Sequence, residues 1–138
     1  MTLSRWEPVL EAIAVFRSYL APNVPPFELI AANDKRWTDE EYGRLRPSGF
    51  PARLRGVYLI YDDAEALLYV GMATVCFDKR VWKHGHAARR YTDIIVFGDE
   101  HLFLAPALEY FLITQLRPPK NTAFRGHEGT SRFHTADL

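Results

Sequence analysis

A run of basic side chains without any acid is the part of this sequence best suited to binding a polyanion. It lies between residues 79 and 90 and contains Lys79, Arg80, Lys83, Arg89 and Arg90, together with His84 and His86. On a helix, Arg80, Lys83 and His84 share a face because they are three or four residues apart. The five positive charges of this run repel one another. A bound phosphate would offset this repulsion, since arginine offers a planar fork of donors and lysine a mobile point charge. The run predicts either a phosphate-contacting patch or a solvated helix face balanced by acids elsewhere.

Two glycine–tyrosine tripeptides precede the basic run. Gly56 and Tyr58 frame the first, and Tyr69 and Gly71 frame the second. Glycine within a strand costs stability and usually marks a bend or a close approach of backbones. If the polar turn at 62–65 closes a hairpin, the two tyrosines lie near each other. Paired strand tyrosines are often simple packing contacts, so this pattern alone does not separate chemistry from packing.

These tripeptides, with the residues that follow them, resemble the signature of the GIY-YIG endonuclease family. Arg80 and His84 match the family's helix arginine and the histidine or tyrosine four residues on. Glu109 lies in the next long helix, where the family keeps its metal-binding glutamate, and Asn121 matches the closing asparagine. The spacing from the second tripeptide to the arginine is one residue longer than the commonest family spacing, which places Lys79 in the usual slot. Arg80 is preferred because His84, four residues on, faces the same way.

The resemblance covers about residues 54–122 and implies both a fold and a reaction. The fold is a three-stranded antiparallel sheet with helices, and the reaction is hydrolysis of phosphodiester bonds in DNA. Tyr58 would be the general base or its relay, which requires nearby cations because a free phenol has a pKa of about 10. Tyr69 and His84 would orient the water and the phosphate or shuttle protons. Arg80 would bind the scissile phosphate.

The same resemblance implies a metal site and a surface for the substrate. Glu109 would hold one Mg²⁺, for which Mn²⁺ can substitute, because Mg²⁺ retains several waters and can be anchored by a single carboxylate. Asn121 would position Glu109 or a backbone segment through its amide, or would simply close the loop that precedes it. Gly56 and Gly71 are the motif glycines. The DNA backbone would be contacted by four basic side chains, Lys79, Lys83, Arg89 and Arg90.

Hydrophobic periodicity predicts the elements that must position these side chains. Apolar residues at helical spacing between Trp6 and Leu20 indicate a first helix, and a capping pattern that begins at Thr38 indicates a second. After a turn-rich hinge at 46–51, the pattern predicts strands over 54–61, 66–71 and 91–97 and helices over 77–88 and 104–116. The order β-β-α-β-α predicts an α+β fold, a small antiparallel sheet flanked by helices.

The hinge divides the chain into two parts. Residues 1–50 are predicted to form a helical N-terminal extension packed on the domain, and residues 51–138 a GIY-YIG-like nuclease domain with an irregular C-terminal tail. A length of 138 residues suits one ordinary domain. The extension is a candidate surface for a homodimer or a partner protein.

Composition limits the classes of function. The 17 Lys+Arg and 17 Asp+Glu residues give a formal net charge of 0, which excludes a basic coat over the whole surface and an acidic solvating tail. Cys76 is the single cysteine, so no internal disulfide can form. Without a secretory signal or a long apolar run, the expectation is a cytoplasmic protein with no membrane partner. The alternative to a nuclease is a catalytically inactive module of the same fold that binds nucleic acid or a protein partner.

Overall fold

The computed structural model of the chain has an α+β architecture, in which four strands and two α-helices are described. The structure describes residues 3–21, 27–32, 44, 54–73, 77 and 89–121. The helices are α1 (Glu7–Ser18) and α2 (Ala105–Leu116), and the strands are β1 (Glu28–Ala32), β2 (Gly56–Tyr61), β3 (Leu67–Ala73) and β4 (Tyr91–Val96). Short 3₁₀-helices, Ser4–Trp6 and Asp99–Leu104, lead directly into α1 and α2.

The four strands form one antiparallel sheet in the order β1-β4-β2-β3. Strands β2 and β3 pair as a hairpin, with Tyr58 opposite Gly71 and Ile60 opposite Tyr69. On its other side β2 pairs with β4, where Thr92 stands opposite Ile60. Directly opposed residues of neighbouring strands point to the same face of a sheet. Thr92, Ile60 and Tyr69 therefore form one row across three strands.

Because side chains alternate along each strand, the sheet has two faces with separate cores. One face, called here the helix face, packs beneath α1 and α2 through the buried strand residues Val57, Leu59, Val70 and Ile95. The opposite face, called the tyrosine face, has a core that includes Tyr58, Ile60, Tyr69, Ile94 and Val96. The two motif tyrosines thus lie on the side of the sheet away from the described helices.

Helix α1 is positioned by an apolar stripe and by an arginine. Pro8 lies in its first turn, where the missing N–H would have no partner within the helix. Ile13 and Phe16 are buried in the core of the helix face, and α1 packs against α2. Arg17 donates a hydrogen bond of 2.6 Å to the carbonyl of Phe27 and lies 4.2 Å from the centroid of its ring. These contacts connect α1 to the beginning of β1.

A buried ion pair ties the beginning of the chain to the centre of the sheet. Arg5 donates from Nε and Nη2 to the two carboxylate oxygens of Asp93, at 2.9 and 2.7 Å, and Trp6 Nε1 donates to the same carboxylate at 2.8 Å. The hydrogen bond to Asp93 holds the pKa of Arg5 above its ordinary value. Burial, together with the nearby Asp93 carboxylate, raises the pKa of Tyr61 far above its ordinary value. The bidentate geometry offsets the cost of burying both charges.

The predicted number of three strands is not confirmed. The part of the chain that the structure describes has four strands, and the additional strand, β1, lies within residues 1–50. Leu29, Ile30 and Ala31 form an apolar run too short for periodicity to distinguish a strand from a helix. Its pairing with β4 satisfies backbone groups that would otherwise lie at the edge of the sheet.

The other predicted elements agree with the structure where it can be compared. The α+β class is confirmed, and the first helix, the three predicted strands and the helix over 104–116 are found within two residues of their predicted ends. The helix predicted over 77–88 lies outside the described residues apart from Phe77. The helix from Thr38, the hinge at 46–51 and the C-terminal tail also lie outside them. None of the described helices is long and apolar enough to cross a membrane.

Candidate functional site

The two motif tyrosines lie side by side on the tyrosine face. Because Tyr58 stands opposite Gly71 and Tyr69 stands opposite Ile60, the two tyrosines occupy diagonal positions of the hairpin. Their ring centroids are 6.0 Å apart and the ring planes are inclined at 39°, a separation typical of an aromatic pair in contact. Tyr58 is 0% exposed and Tyr69 is 7% exposed. The expected proximity of the two rings is confirmed.

Both motif glycines are required by a close approach. A Cβ added to Gly71 would overlap Cζ and Oη of Tyr58 and would lie 2.8 Å from its Cε1, so the tyrosine ring crosses β3 directly over this glycine. Gly56 has a φ of +151°, which L side chains rarely adopt. A Cβ there would also overlap the carbonyl oxygen of Ile95 on β4. Gly71 therefore makes room for a ring, and Gly56 for the backbone of a neighbouring strand.

Asn121 closes the outer side of β3. Helix α2 ends where Arg117 adopts a left-handed conformation, with φ of 49°. The Val70 N–H then donates to Asn121 Oδ1 at 2.9 Å, and Asn121 Nδ2 donates to the Val70 carbonyl at 2.8 Å. Val70 is the residue between Tyr69 and Gly71, so the amide acts as a neighbouring strand would at the middle of the second tripeptide. The amide of Asn121 was expected to position either Glu109 or a backbone segment, and in the structure it bonds a backbone segment.

Glu109 lies on the buried side of α2 and is 1% exposed. Three neighbours at helical spacing, Ala105, Leu112 and Ile113, pack in the core of the helix face, as does the adjacent residue Leu108. Helix α2 packs against β3 and β2, the two strands that carry the tyrosines. A carboxylate buried among apolar side chains is costly unless cations or hydrogen-bond donors offset the loss of water. Packing alone therefore does not account for a glutamate at this position.

The structure separates the two arginines at the beginning of β4. Arg89 donates from Nε and Nη2 to Thr92 Oγ1, at 3.2 and 3.0 Å. Thr92 belongs to the row of the tyrosine face that continues across β2 to Tyr69. Arg90 is exposed, and its guanidinium carbon lies 4.9 Å from the ring centroid of Tyr91, which packs against the core of the helix face. Arg89 thus reaches the tyrosine face, whereas Arg90 lies toward the helix face.

The remaining predicted site residues lie outside the part of the chain that the structure describes. They are the helix arginine and histidine and two of the four predicted phosphate contacts: Lys79, Arg80, Lys83 and His84. Their contacts stay predictions. The described members that the structure brings together are the two tyrosines, Gly71 and Asn121, all of which meet at strand β3. Glu109 is not placed among them, because its neighbours on α2 pack in the core of the helix face, whereas the tyrosines belong to the core of the tyrosine face.

The donor chemistry of Glu109 fits Mg²⁺. Within residues 3–21, 27–32, 54–73 and 89–121 there is no group of three or more His, Cys, Asp or Glu side chains that could hold a metal ion. Mg²⁺ takes hard oxygen ligands, keeps several waters and is commonly bound by one or two carboxylates together with substrate phosphates. A single carboxylate at Glu109 suits that mode of binding.

Sequence reasoning did not single out Thr92 or the ion pair of Asp93. A signal for Asp93 was present, because it alternates with Ile95 on the core-facing side of a strand, where a carboxylate requires a cation. Nothing in the sequence identifies that cation as Arg5, which is 88 residues away along the chain. No sequence pattern marks the hydrogen bonds between Thr92 and Arg89 either, because threonine is common in strands for reasons of packing.

Comparison with known proteins gives no assignment. The chain matches no known protein family, no curated protein and no solved structure.

Proposed function

We propose that this chain is an endonuclease of the GIY-YIG type that hydrolyses phosphodiester bonds in DNA with one Mg²⁺ ion, and that the hairpin β2–β3 and the neighbouring helix α2 carry its active site. The observation that supports this most is the arrangement of the hairpin β2–β3. The Tyr58 ring of one tripeptide lies directly over Gly71 of the other, beside Tyr69. This arrangement brings residues of both tripeptides side by side, as an active site built from them requires.

In this proposal the tyrosine face activates water and orients the phosphate. Tyr58 accepts the proton of the attacking water, directly or through a relay. Because a phenol has a pKa of about 10, positive charge must lower it for use near neutral pH. Arg80 and His84 supply that charge, and Arg80 binds the phosphate as negative charge develops. Tyr69 orients the water and the phosphate.

Glu109 and Asn121 have different roles. Glu109 would hold the Mg²⁺ ion, which would supply positive charge to the phosphoryl and leaving oxygens. Asn121 is a positioning residue, because its amide bonds both backbone groups of Val70 and so fixes the strand that carries Tyr69. The reaction needs both tyrosines in a fixed relation, since a displacement of about 1 Å can cost about 100-fold in rate.

A second candidate is a catalytically inactive module of the same fold that binds nucleic acid or a protein. One observation favours it, namely the burial of the proposed catalytic groups. Tyr58 is 0% exposed, Tyr69 is 7% exposed and Glu109 is 1% exposed. Water and phosphate can reach such groups only if the side chains that cover them move, whereas an inactive module needs no such movement.

Plasmid nicking with a matched pair of tyrosine variants distinguishes the two candidates. Tyr58→Phe removes only the hydroxyl and leaves the ring over Gly71, and we expect the rate of nicking in Mg²⁺ to fall about 100-fold or more. Tyr61→Phe makes the same chemical change at a buried position of the same strand but on the helix face. We expect it to cut as the wild type does. EDTA and Glu109→Gln should each abolish nicking.

The inactive module is the correct reading if purified wild-type protein cuts no duplex, branched or single-stranded DNA with Mg²⁺ or Mn²⁺. Equal nicking by the wild type and by Tyr58→Phe would also refute the role of the tyrosine face, and would point to a contaminating nuclease.

A further inference from the structure

Two arginines adjacent in sequence, Arg89 and Arg90, have different environments. The side chain of Arg89 is partly buried and is bonded to Thr92, and that of Arg90 is exposed beside Tyr91. The sequence gives both residues the same charge in the same basic run. The structure assigns them to opposite sides of the sheet, and only one side carries Tyr58 and Tyr69.

The hydroxyl of Thr92 is a rigid anchor. Thr92 is 0% exposed and lies in β4, which is flanked by β1 and β2. A β-branched side chain in a strand has little freedom at χ1, so its Oγ1 has a fixed position. Arg89 directs two donors, Nε and Nη2, at this single oxygen. A guanidinium fixed at one edge loses less conformational freedom when an anion binds than a mobile one would.

The anchor also sets the distance between Arg89 and the proposed site of cleavage. Thr92, Ile60 and Tyr69 are aligned on three neighbouring strands. Strands are about 4.8 Å apart, so the backbones at Thr92 and Tyr69 are separated by roughly 10 Å. The guanidinium of Arg89 is therefore displaced across the sheet from the tyrosine pair, where it suits a phosphate that flanks the one being cut.

We infer that Thr92 is a positioning residue that holds Arg89 as a contact for a substrate phosphate flanking the scissile one, and that Arg90 is not part of this contact. The inference rests on the proposed function, because it takes the tyrosine face as the surface that DNA crosses. The inference removes Arg90 from the predicted phosphate contacts. It adds Thr92, an uncharged residue, as the residue that positions Arg89.

Binding of DNA in EDTA tests the inference without relying on turnover. The probe is a fluorescein-labelled duplex of arbitrary sequence, with the matching single strand, followed by fluorescence anisotropy at several salt concentrations. We expect Arg89→Ala to raise Kd about tenfold or more, because hydrogen bonds to charged groups are lost. The slope of log Kd against log salt should fall by about 0.9 for the lost phosphate contact. Arg90→Ala, which removes the same charge one residue away, should change Kd by less than about twofold.

Thr92 is tested by variants that keep the charge. Thr92→Val has nearly the same shape without the hydroxyl and should raise Kd about threefold to tenfold, whereas Thr92→Ser should restore most of the affinity. If Thr92 acts through Arg89, Thr92→Val should have no further effect once Arg89 is alanine. The melting temperature of each variant shows whether the fold is kept, and the Arg89→Ala comparison decides the matter where a Thr92 variant does not fold.

The results separate the inference from the proposed function. The inference is overturned if Arg89→Ala and Arg90→Ala weaken binding equally, or if Thr92→Val binds as tightly as the wild type. It is also overturned if the wild type binds neither probe. If the wild type binds DNA with the expected difference between the arginines but cuts none in Mg²⁺, the inference stands and the proposed endonuclease activity fails.

Discussion

Replacement of Gly71 by alanine is the most direct test of how the hairpin is built. The added methyl group would overlap Cζ and Oη of Tyr58 and lie 2.8 Å from Cε1. Carbon atoms in contact are about 3.5–4.0 Å apart, so the ring must move by roughly 1 Å. The ring is 0% exposed and packs against Tyr69, so its movement must displace buried neighbours. We expect Gly71→Ala to lower the free energy of unfolding by about 1–3 kcal/mol, the usual cost of overpacking.

Activity should fall more steeply than stability. A displacement of about 1 Å at a catalytic group can cost about 100-fold in rate. Urea denaturation measures the stability, and plasmid nicking under conditions where the variant is fully folded measures the activity. Gly98→Ala is the matched control, because a Cβ at Gly98 meets nothing within 4 Å and its φ of −68° suits any residue. The control should be neutral or stabilising by about 0.4–1 kcal/mol.

A double-mutant cycle shows whether Tyr58 is the cause. In a Tyr58→Ala background the ring that meets the new methyl group is gone, so Gly71→Ala should cost about 0.5 kcal/mol or less. If Gly71→Ala is as stable as Gly98→Ala, the ring does not lie over this glycine in solution. If its cost is the same with and without the Tyr58 ring, the strain has another origin. Either result would refute the interlocked arrangement on which the proposed active site depends.

Three further predictions concern the framework around the site. Asp93→Asn leaves the buried guanidinium of Arg5 without its counter-charge and should lower the free energy of unfolding in urea by about 3–5 kcal/mol. Because the pKa of Tyr61 is raised in the folded protein, the unfolded chain loses the Tyr61 proton first as pH rises. The free energy of unfolding should therefore be unaffected below about pH 10 and should fall above it, by up to about 1.4 kcal/mol per pH unit. Tyr61→Phe should remove that loss in alkaline urea titrations, and Tyr19→Phe, at a side chain that is 77% exposed, should not. Asn121→Ala should lower the free energy of unfolding by about 1–3 kcal/mol and speed amide hydrogen exchange along β3. Unchanged exchange would show that the Asn121 amide does not hold the backbone of Val70.

Local patterns were sufficient to predict most of the described elements. The hairpin could be predicted because two segments rich in β-branched and aromatic residues flank a polar turn. Helix α2 could be predicted because its apolar stripe ends before two prolines. Strand β1 was missed because a short apolar run has no periodicity of its own. It becomes a strand through pairing with β4, which is more than 50 residues away along the chain. Pairing at that distance is a tertiary effect that a local pattern does not carry.

For the candidate site, the sequence indicated the residues but not their side-chain partners. The residue types of the motif indicated which side chains to consider, and the structure adds why two glycines belong among them. The role of Arg5 depends on hydrogen bonds to Asp93, which is 88 residues away along the chain. The role proposed for Thr92 depends on side-chain hydrogen bonds from Arg89, which hydrophobic periodicity does not predict. The two arginines of the basic run precede β4 and differ in their side-chain contacts, since Arg89 bonds to Thr92 on the tyrosine face and Arg90 lies beside Tyr91 on the helix face. A count of charges treats them as equivalent.

Strand β3 connects the parts of the proposed site, so we expect mutations in this strand to affect the site and the fold together. It carries Tyr69, it makes room for Tyr58 at Gly71, and its backbone at Val70 is held by Asn121. Any change that moves β3 therefore disturbs stability and catalysis together, and loss of activity in such variants would not show that a group is catalytic. The nuclease and the inactive module require the same hairpin and differ in what the Tyr58 hydroxyl does. A variant that removes one oxygen and leaves every ring in place therefore carries more information than any larger truncation. The nuclease hypothesis requires that Tyr58→Phe loses cutting while the matched variant Tyr61→Phe keeps it.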